Sequence, residues 1–312
     1  MTLLSVGIVG AGRTRNGPGP FLATCAERAG FRVTAVAGRS PERTADDAAE
    51  LATRLGHPVA ACRDLDSLCG SGIDGLVIAS PTVHHLEALE AAVTARVPVL
   101  CEKPLVHETQ GEAGAAVVEA FAAADRPLME NCQWPFVLPA FRTLWGNPPG
   151  QLPCRIALGL APARPGREMV QSMLPHLLSV LQALVPVDAD TTVCRVGLDH
   201  PELDGRASTL RFALGGPRGG IEAALHLHLC PAPPRPAWIE IDGIRMDRCV
   251  ADDHAFSFDG RGRRVQVPDP MQQLVHRFAE LVRVPQRSRI QTEVDLVRQR
   301  LRLYHDILRA LP

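Results

Sequence analysis

Val97-Pro-Val-Leu-Cys-Glu-Lys-Pro-Leu105 runs a short apolar strand into a charged turn. Residues 98–101 read as buried strand, and Glu102-Lys103-Pro104 is where that strand emerges. In an open parallel α/β sheet, ligands bind beyond the carboxyl ends of the strands. A lysine at such an end is well placed for chemistry. Pro104 fixes its own φ and biases Lys103 towards extended backbone, so the ammonium is aimed. An ordinary strand-to-helix turn has the same outline, and the neighbouring segments must decide between the two.

Upstream, Leu3-Leu-Ser-Val-Gly-Ile-Val9 is the near-continuous apolar run of a central parallel strand, with Gly10-Ala-Gly12 directly after it. A dinucleotide fingerprint has its third glycine at position 15, where this chain has Arg15. The glycines come later, in Asn16-Gly-Pro-Gly-Pro20, ahead of a helix over about 21–29. The spacing predicts an extended phosphate loop that includes Gly10 and Gly12 and carries Arg13 and Arg15; the alternative is a plain glycine turn. The second strand, Phe31 to Ala37, ends in Gly38-Arg39-Ser40-Pro-Glu-Arg43. An NAD site usually has an acidic residue there for the ribose hydroxyls. Arg39, Ser40 and Arg43 instead suit a 2′-phosphate, because guanidinium donors are planar and paired. This predicts NADP(H) over NAD(H). The alternative is that both arginines are solvated residues at a helix start.

Helical spacing over 43–56, a helical turn at 64–68, a strand at 75–79, a helix with Leu86, Leu89 and Val93 on one face, a helix over 108–124 and a strand over 127–132 complete an alternating pattern. That alternation predicts a doubly wound parallel sheet. The second half changes character. Residues 154–160, 191–198, 208–214, 221–229 and 238–244 are strand-like, separated by glycine and proline turns. The expected fold is α/β: an N-terminal Rossmann domain over 1–133, then an α+β domain over 134–312 with an open, mostly antiparallel sheet. In Ala224-Leu-His-Leu-His-Leu229, His226 and His228 share one face, which period-2 alternation explains without a metal. Helices are expected near 172–184 and over 293–311, the latter burying Val294, Val297, Leu301, Tyr304 and Leu308. Ser172 reads as an N-cap, with Pro175 in the first turn.

The 312 residues carry a net charge of −1, so nothing electrostatic favours nucleic acid or an anionic membrane. Nine cysteines without a CxxC pair argue against a disulfide framework or a structural zinc site, and no metal is expected. Leu3 to Val9 is short for a secretory h-region, and no stretch approaches the roughly 20 apolar residues of a membrane span. A cytoplasmic location is the expectation.

Ala79-Ser-Pro-Thr-Val-His-His85 followed by Glu102-Lys-Pro104 resembles the Gfo/Idh/MocA oxidoreductase family, as does the order of the two domains. The resemblance implies that Ser80, Pro81, His85 and Glu102 line the cofactor and that Lys103 lies by the nicotinamide and the reacting carbon. Inositol-dehydrogenase-like members add a D-x-x-x-H arrangement on the second domain. Here His176 matches the histidine, while Ser172 and Ser179 stand where aspartates are common. Asn131-Cys-Gln-Trp-Pro135 also departs, the family often having an arginine near Gln133 or Trp134. Trp134 is read either as an apolar wall of the substrate pocket or as a core residue. Without the aspartates, Lys103 as an ammonium suits proton donation, and His176 suits substrate positioning or proton sharing beside Ser172. The expected activity is NADPH-dependent reduction of a C=O, C=N or activated C=C of a small metabolite. The alternatives are a reversible sugar or cyclitol dehydrogenase and a non-catalytic NADP-binding regulator. A homodimer or dimer of dimers is expected through the second sheet, with Leu225, Leu227 and Leu229 on the face awaiting a partner.

Overall fold

The computed structural model describes residues 3–12, 18–146, 153–199, 206–216, 220–250 and 255–311. The chain divides into two compact units, Met1–Asn131 with Met271–Arg298, and Cys132–Pro270 with Gln299–Pro312.

The first unit alternates β1 (Leu4–Val9), α1 (Gly19–Arg28), β2 (Phe31–Ala37), α2 (Pro41–Leu55), β3 (Ala60–Ala61), α3 (Leu65–Cys69), β4 (Gly75–Ile78), α4 (His85–Thr94), β5 (Val99–Cys101), α5 (Gly111–Ala123) and β6 (Leu128–Glu130). The strands form one sheet in the order β3-β2-β1-β4-β5-β6, and every pairing is parallel. Strand order reverses between β1 and β4, and that reversal opens a crevice at their carboxyl ends. Four consecutive buried residues in β4 and three in β5 explain the uninterrupted apolar runs: a parallel sheet is covered on both faces. Helix starts follow local chemistry. The Ser40 side chain caps α2 by accepting from the Arg43 N–H at 3.4 Å, and Asp64 caps α3 by accepting from Ser67 N–H at 2.8 Å.

The second unit holds α6 (Leu138–Trp145), β7 (Arg155–Leu160), α7 (Arg167–Leu184), β8 (Thr192–Asp199), β9 (Ala207–Gly215), β10 (Ile221–His228), β11 (Trp238–Ile241), β12 (Ile244–Val250), β13 (Phe256–Gly260) and β14 (Arg263–Val267). Its sheet runs β14-β13-β12-β11-β7-β10-β9-β8, antiparallel except where β7 meets β10. The stretch expected as one strand over 238–244 is a hairpin. Asp242 and Gly243 both take positive φ, 50° and 79°, and Ile241 pairs with Ile244 across this two-residue turn. The Asp-Gly pair is the sequence signal for that turn.

A second correction concerns the sheet's apolar face. Leu225 and Leu227 are buried in this chain's own core, with Leu158, Leu210 and Ile239 of the sheet and Leu174, Leu177 and Leu181 of α7. That face awaits no partner. The opposite face carries the polar residues of the alternation: His226 stacks on Trp238 at 5.2 Å, and the Arg245 guanidinium covers the same indole at 4.2 Å.

Two C-terminal helices follow, α8 (Pro270–Arg283) and α9 (Arg287–Ala310). α8 has no counterpart in the sequence reading, and α9 begins six residues before the expected Glu293. Residues 271–298 belong to the first unit. There Phe278 packs on Phe31 with ring centroids 5.7 Å apart, the Gln272 amide donates to Cys25 O at 3.0 Å, and Arg298 pairs with Glu119. No helix among the described residues is long and apolar enough to cross a membrane.

Candidate active site at the strand ends

The loop ends after β1 and β4 touch through glycine. A Cβ on Gly10, whose φ is +81°, would lie 2.6 Å from the backbone of Ser80, and one on Gly19 would lie 2.3 Å from Gly10 O. The start of α1 therefore sits against the end of β1, and a helix N-terminus is where an anion is favoured. Arg13 and Arg15 lie outside the described residues. Ser80 Oγ is buried and has no hydrogen-bond partner among the described residues.

β5 delivers Glu102 and Lys103, both half-buried, to the same edge, and the Lys103–Pro104 bond is cis. The Asn131 amide, just past β6, donates to Glu102 Oε1. Burial pushes the Glu102 carboxyl above the ordinary carboxylate range, against the opposing pull of the Lys103 ammonium and the Asn131 amide. Asn131 is 2% exposed, and its Oδ1 is buried without a partner among the described residues. Two orphaned acceptors, Ser80 Oγ and Asn131 Oδ1, thus flank Glu102-Lys103 at the ends of β4 and β6. A buried polar atom without a partner costs about 1–3 kcal/mol, so ligand hydroxyls or amides at these positions recover it. The cradle and the orphaned atoms together fit a dinucleotide laid across the crevice.

The structure gives two expected residues other duties. His85, expected against the cofactor, is 1% exposed, with Nδ1 3.0 Å from Pro104 O and Nε2 2.8 Å from Ser80 O. Ser40 has its hydroxyl committed to α2: besides capping, it donates to Glu42 Oε2 at 2.8 Å. Arg39 and Arg43 are exposed at the start of α2, and Arg39 has no hydrogen-bond or ion-pair partner among the described residues. Asp47, one helical turn beyond Arg43, was not anticipated. Its carboxylate lies where a Cβ on Gly12 would meet it at 2.7 Å, and burial, then Glu50 and Asp46, raise its pKa. The i, i+4 spacing from Arg43 was its signal.

In the second unit, α7 begins at Arg167 with Gly166 as N-cap, so Ser172 is not the cap. It lies in the second turn, and its hydroxyl donates to Glu168 O at 2.6 Å, the back-bond that satisfies a mid-helix serine. Pro175 is inside the helix, and Pro175 O accepts from the Cys132 thiol at 3.5 Å. His176 is 7% exposed, and Ser179 Oγ donates to its carbonyl at 2.7 Å. Trp134 is a core residue, 3% exposed and edge-to-face with Phe258 at 6.3 Å.

The sequence holds one further signal for Lys103. It is the only lysine in the chain; the other thirty-two of the 33 Lys and Arg residues are arginine. Wherever a cation suffices, this chain uses guanidinium. The single ammonium stands at the end of β5.

Comparison with known proteins agrees with this geometry. Residues 4–132 match the family model described as "Oxidoreductase family, NAD-binding Rossmann fold", that of GFO_IDH_MocA. Over these residues, which are less than half of the chain, it is similar to the Gfo/Idh/MocA oxidoreductase family. The chain is 37% identical over 128 residues to an inositol 2-dehydrogenase of Streptomyces avermitilis, a match spanning 41% of this chain and 35% of that protein. The matched segment is thus about a third of such a relative's length. Solved structures of the same fold extend further. A UDP-N-acetylglucosamine 3-dehydrogenase from Acidithiobacillus ferrooxidans superposes with a TM-score of 0.68 at 20% identity, over 100% of this chain and 98% of its own. A 3-ketoreductase from Actinomadura kijaniata, in complex with TDP-benzene and NADP, does so with 0.69 at 18% identity, over 97% and 96%. Both Gfo/Idh/MocA expectations for the fold, a parallel Rossmann sheet and a second, mostly antiparallel one, hold in this chain.

Proposed function

We propose that this chain is an NADPH-dependent oxidoreductase that reduces a C=O, C=N or activated C=C of a small metabolite, with Lys103 as general acid. The observation that carries the reading is the sole lysine at the end of β5, beside a half-buried carboxyl and between two orphaned polar atoms. A hydride is what a bound dihydronicotinamide supplies. Gly10 and Gly19 leave room for the cofactor's phosphates, and Ser80, Pro81, Glu102 and Asn131 hold its nicotinamide half. Arg39, with Arg43, takes the 2′-phosphate; Ser40 supports them by capping α2.

As negative charge develops on the substrate heteroatom, the Lys103 ammonium gives it a proton, and the lysine recovers one from solvent. General acid catalysis of this kind contributes about 10²–10⁴-fold. Guanidinium holds its proton too tightly for the role. His176 and Ser172, on α7, are assigned to substrate orientation. Trp134, a core residue, supports α7 and the sheet. The inositol 2-dehydrogenase relatives favour a second reading, the same hydride exchange run as oxidation of a cyclitol or sugar alcohol.

The test is titration of the purified protein with NADPH and NADH, followed by cofactor oxidation with a panel of keto-sugars, sugar-nucleotide ketones and imines. The expected result is tighter NADPH binding and turnover on at least one carbonyl. Turnover only with NAD⁺ and cyclitols selects the second reading. Tight NADPH binding with no turnover on either panel favours a regulator.

A further inference from the structure

The turn that carries Lys103 is gripped from inside by two side chains that the proposed chemistry does not use. His85 Nδ1 lies 3.0 Å from Pro104 O and 3.2 Å from Leu105 O, while its Nε2 lies 2.8 Å from Ser80 O. Glu130 Oε1 accepts from Leu105 N–H at 2.9 Å. Both residues are more than nine-tenths buried. The Leu105 N–H and two successive carbonyls are therefore fixed by side chains from α4 and the end of β6. One ring spans the turn after β4 and the turn after β5. These are the two turns that carry Ser80 and Lys103.

The chemistry of the His85 ring sharpens this. Carbonyl oxygens only accept, and a neutral imidazole has one N–H. Donation to both turns at once requires the imidazolium. Burial pushes its pKa down, while the three carbonyls and the nearby Glu130 carboxylate act in the opposite direction. In either protonation state the ring has no nitrogen left for a ligand.

We propose that His85 and Glu130 are positioning residues that act through Lys103, locking its turn to the Ser80 turn so that the ammonium is held at the crevice before any ligand arrives. This deepens the assignment of Lys103 as the acid and rests on it. A side chain of four methylenes reaches one place only if its own backbone is fixed, and preorganised geometry is where enzymes gain most from orientation. Pro104 alone cannot do this: it sets one φ and leaves the turn free to rock about β5.

Because Lys103 is the only lysine, its placement can be read without any substrate. Acylation of the 312-residue chain by the N-hydroxysuccinimide ester of acetic acid, followed by peptide mass mapping, reports on residue 103 alone apart from the N-terminal amine. His85→Leu and Glu130→Met each remove grip on the turn. Each should free the half-buried amine and raise its acylation rate by about tenfold, the order expected for one buried hydrogen bond. Glu130→Gln keeps the acceptor and should label at the unmutated rate. Val118→Ala, a core truncation in α5 at a position 0% exposed, loses stability without touching the turn and should also leave the rate unchanged. Unchanged labelling in His85→Leu, or equal acceleration in Val118→Ala, overturns the proposal. Should His85→Leu fail to fold, the Glu130 pair decides: equal rates for Glu130→Met and Glu130→Gln contradict it. Labelling needs no turnover. A failure here leaves the acid assignment standing, and a failure of that assignment leaves the labelling result valid.

Discussion

In the proposed roles an ammonium and a guanidinium are not interchangeable at position 103, and the same contrast applies to position 39 from the other side. A 2′-phosphate calls for the planar, permanently charged fork of arginine. Arg39 is exposed and unpartnered among the described residues, so its donors are free for that phosphate. A hydrogen bond to a charged group is worth about 1.5–3 kcal/mol, roughly ten- to a hundredfold in affinity. Arg39→Asp should shrink or reverse the ratio of NADH to NADPH dissociation constants by that order. Equal constants in the unmutated protein would remove the basis for the assignment. The positions of Lys103 and Arg39 were legible in the sequence because each follows a recognisable strand. The hydrogen bonds of His85, Glu130 and Asn131 were not. Their partners lie 19 to 29 residues away, across strands whose side-by-side placement only the folded sheet provides.

Elements were legible where period and caps agreed, and were misread where a local signal had two uses. Ser172 has the chemistry of a cap, yet α7 begins at Arg167, because the apolar residues Met169 and Val170 extend the buried stripe upstream. The same ambiguity hid the β11–β12 turn: 238–244 alternates like one strand, but Asp242-Gly243 reverses it. Gly243 has φ +79° with nothing within 4 Å of where a Cβ would stand, so an added side chain there costs only backbone strain. Gly243→Ala should lower unfolding stability by about 1 kcal/mol in thermal or urea denaturation. Gly10→Ala differs in kind. It adds a clash with the Ser80 backbone to the same strain, so it should abolish dinucleotide binding as well as destabilise the first unit. Gly10→Ala protein that binds NADPH normally would show that the crevice is not where the phosphates lie.

At the scale of the whole molecule, the alternation of strands and helices announced the first unit, and the turn-rich second half announced the other. The return of residues 271–298 to the first unit was not announced, since α8 is amphipathic like any surface helix and nothing local names its partner. Assembly is where the structure redirected the expectation. With Leu225 and Leu227 already buried, a second copy would meet the polar face and its His226–Trp238–Arg245 stack. Aromatic and arginine side chains dominate the energetics of such interfaces. Light scattering at micromolar concentration should give a dimer or a multiple of it, and Trp238→Ala with Arg245→Glu should shift it towards monomer. A monomeric unmutated protein contradicts this.

Turnover tests the central claim most directly. Lys103→Met keeps the length of the side chain and removes the proton. In single-turnover reduction of a carbonyl by bound NADPH, using a substrate found in the panel, Lys103→Met should slow hydride transfer by about 10²–10⁴-fold while NADPH affinity stays near the unmutated value. Lys103→Arg should be nearly as slow, because guanidinium keeps its proton. Hydride transfer at the unmutated rate in Lys103→Met would contradict the account.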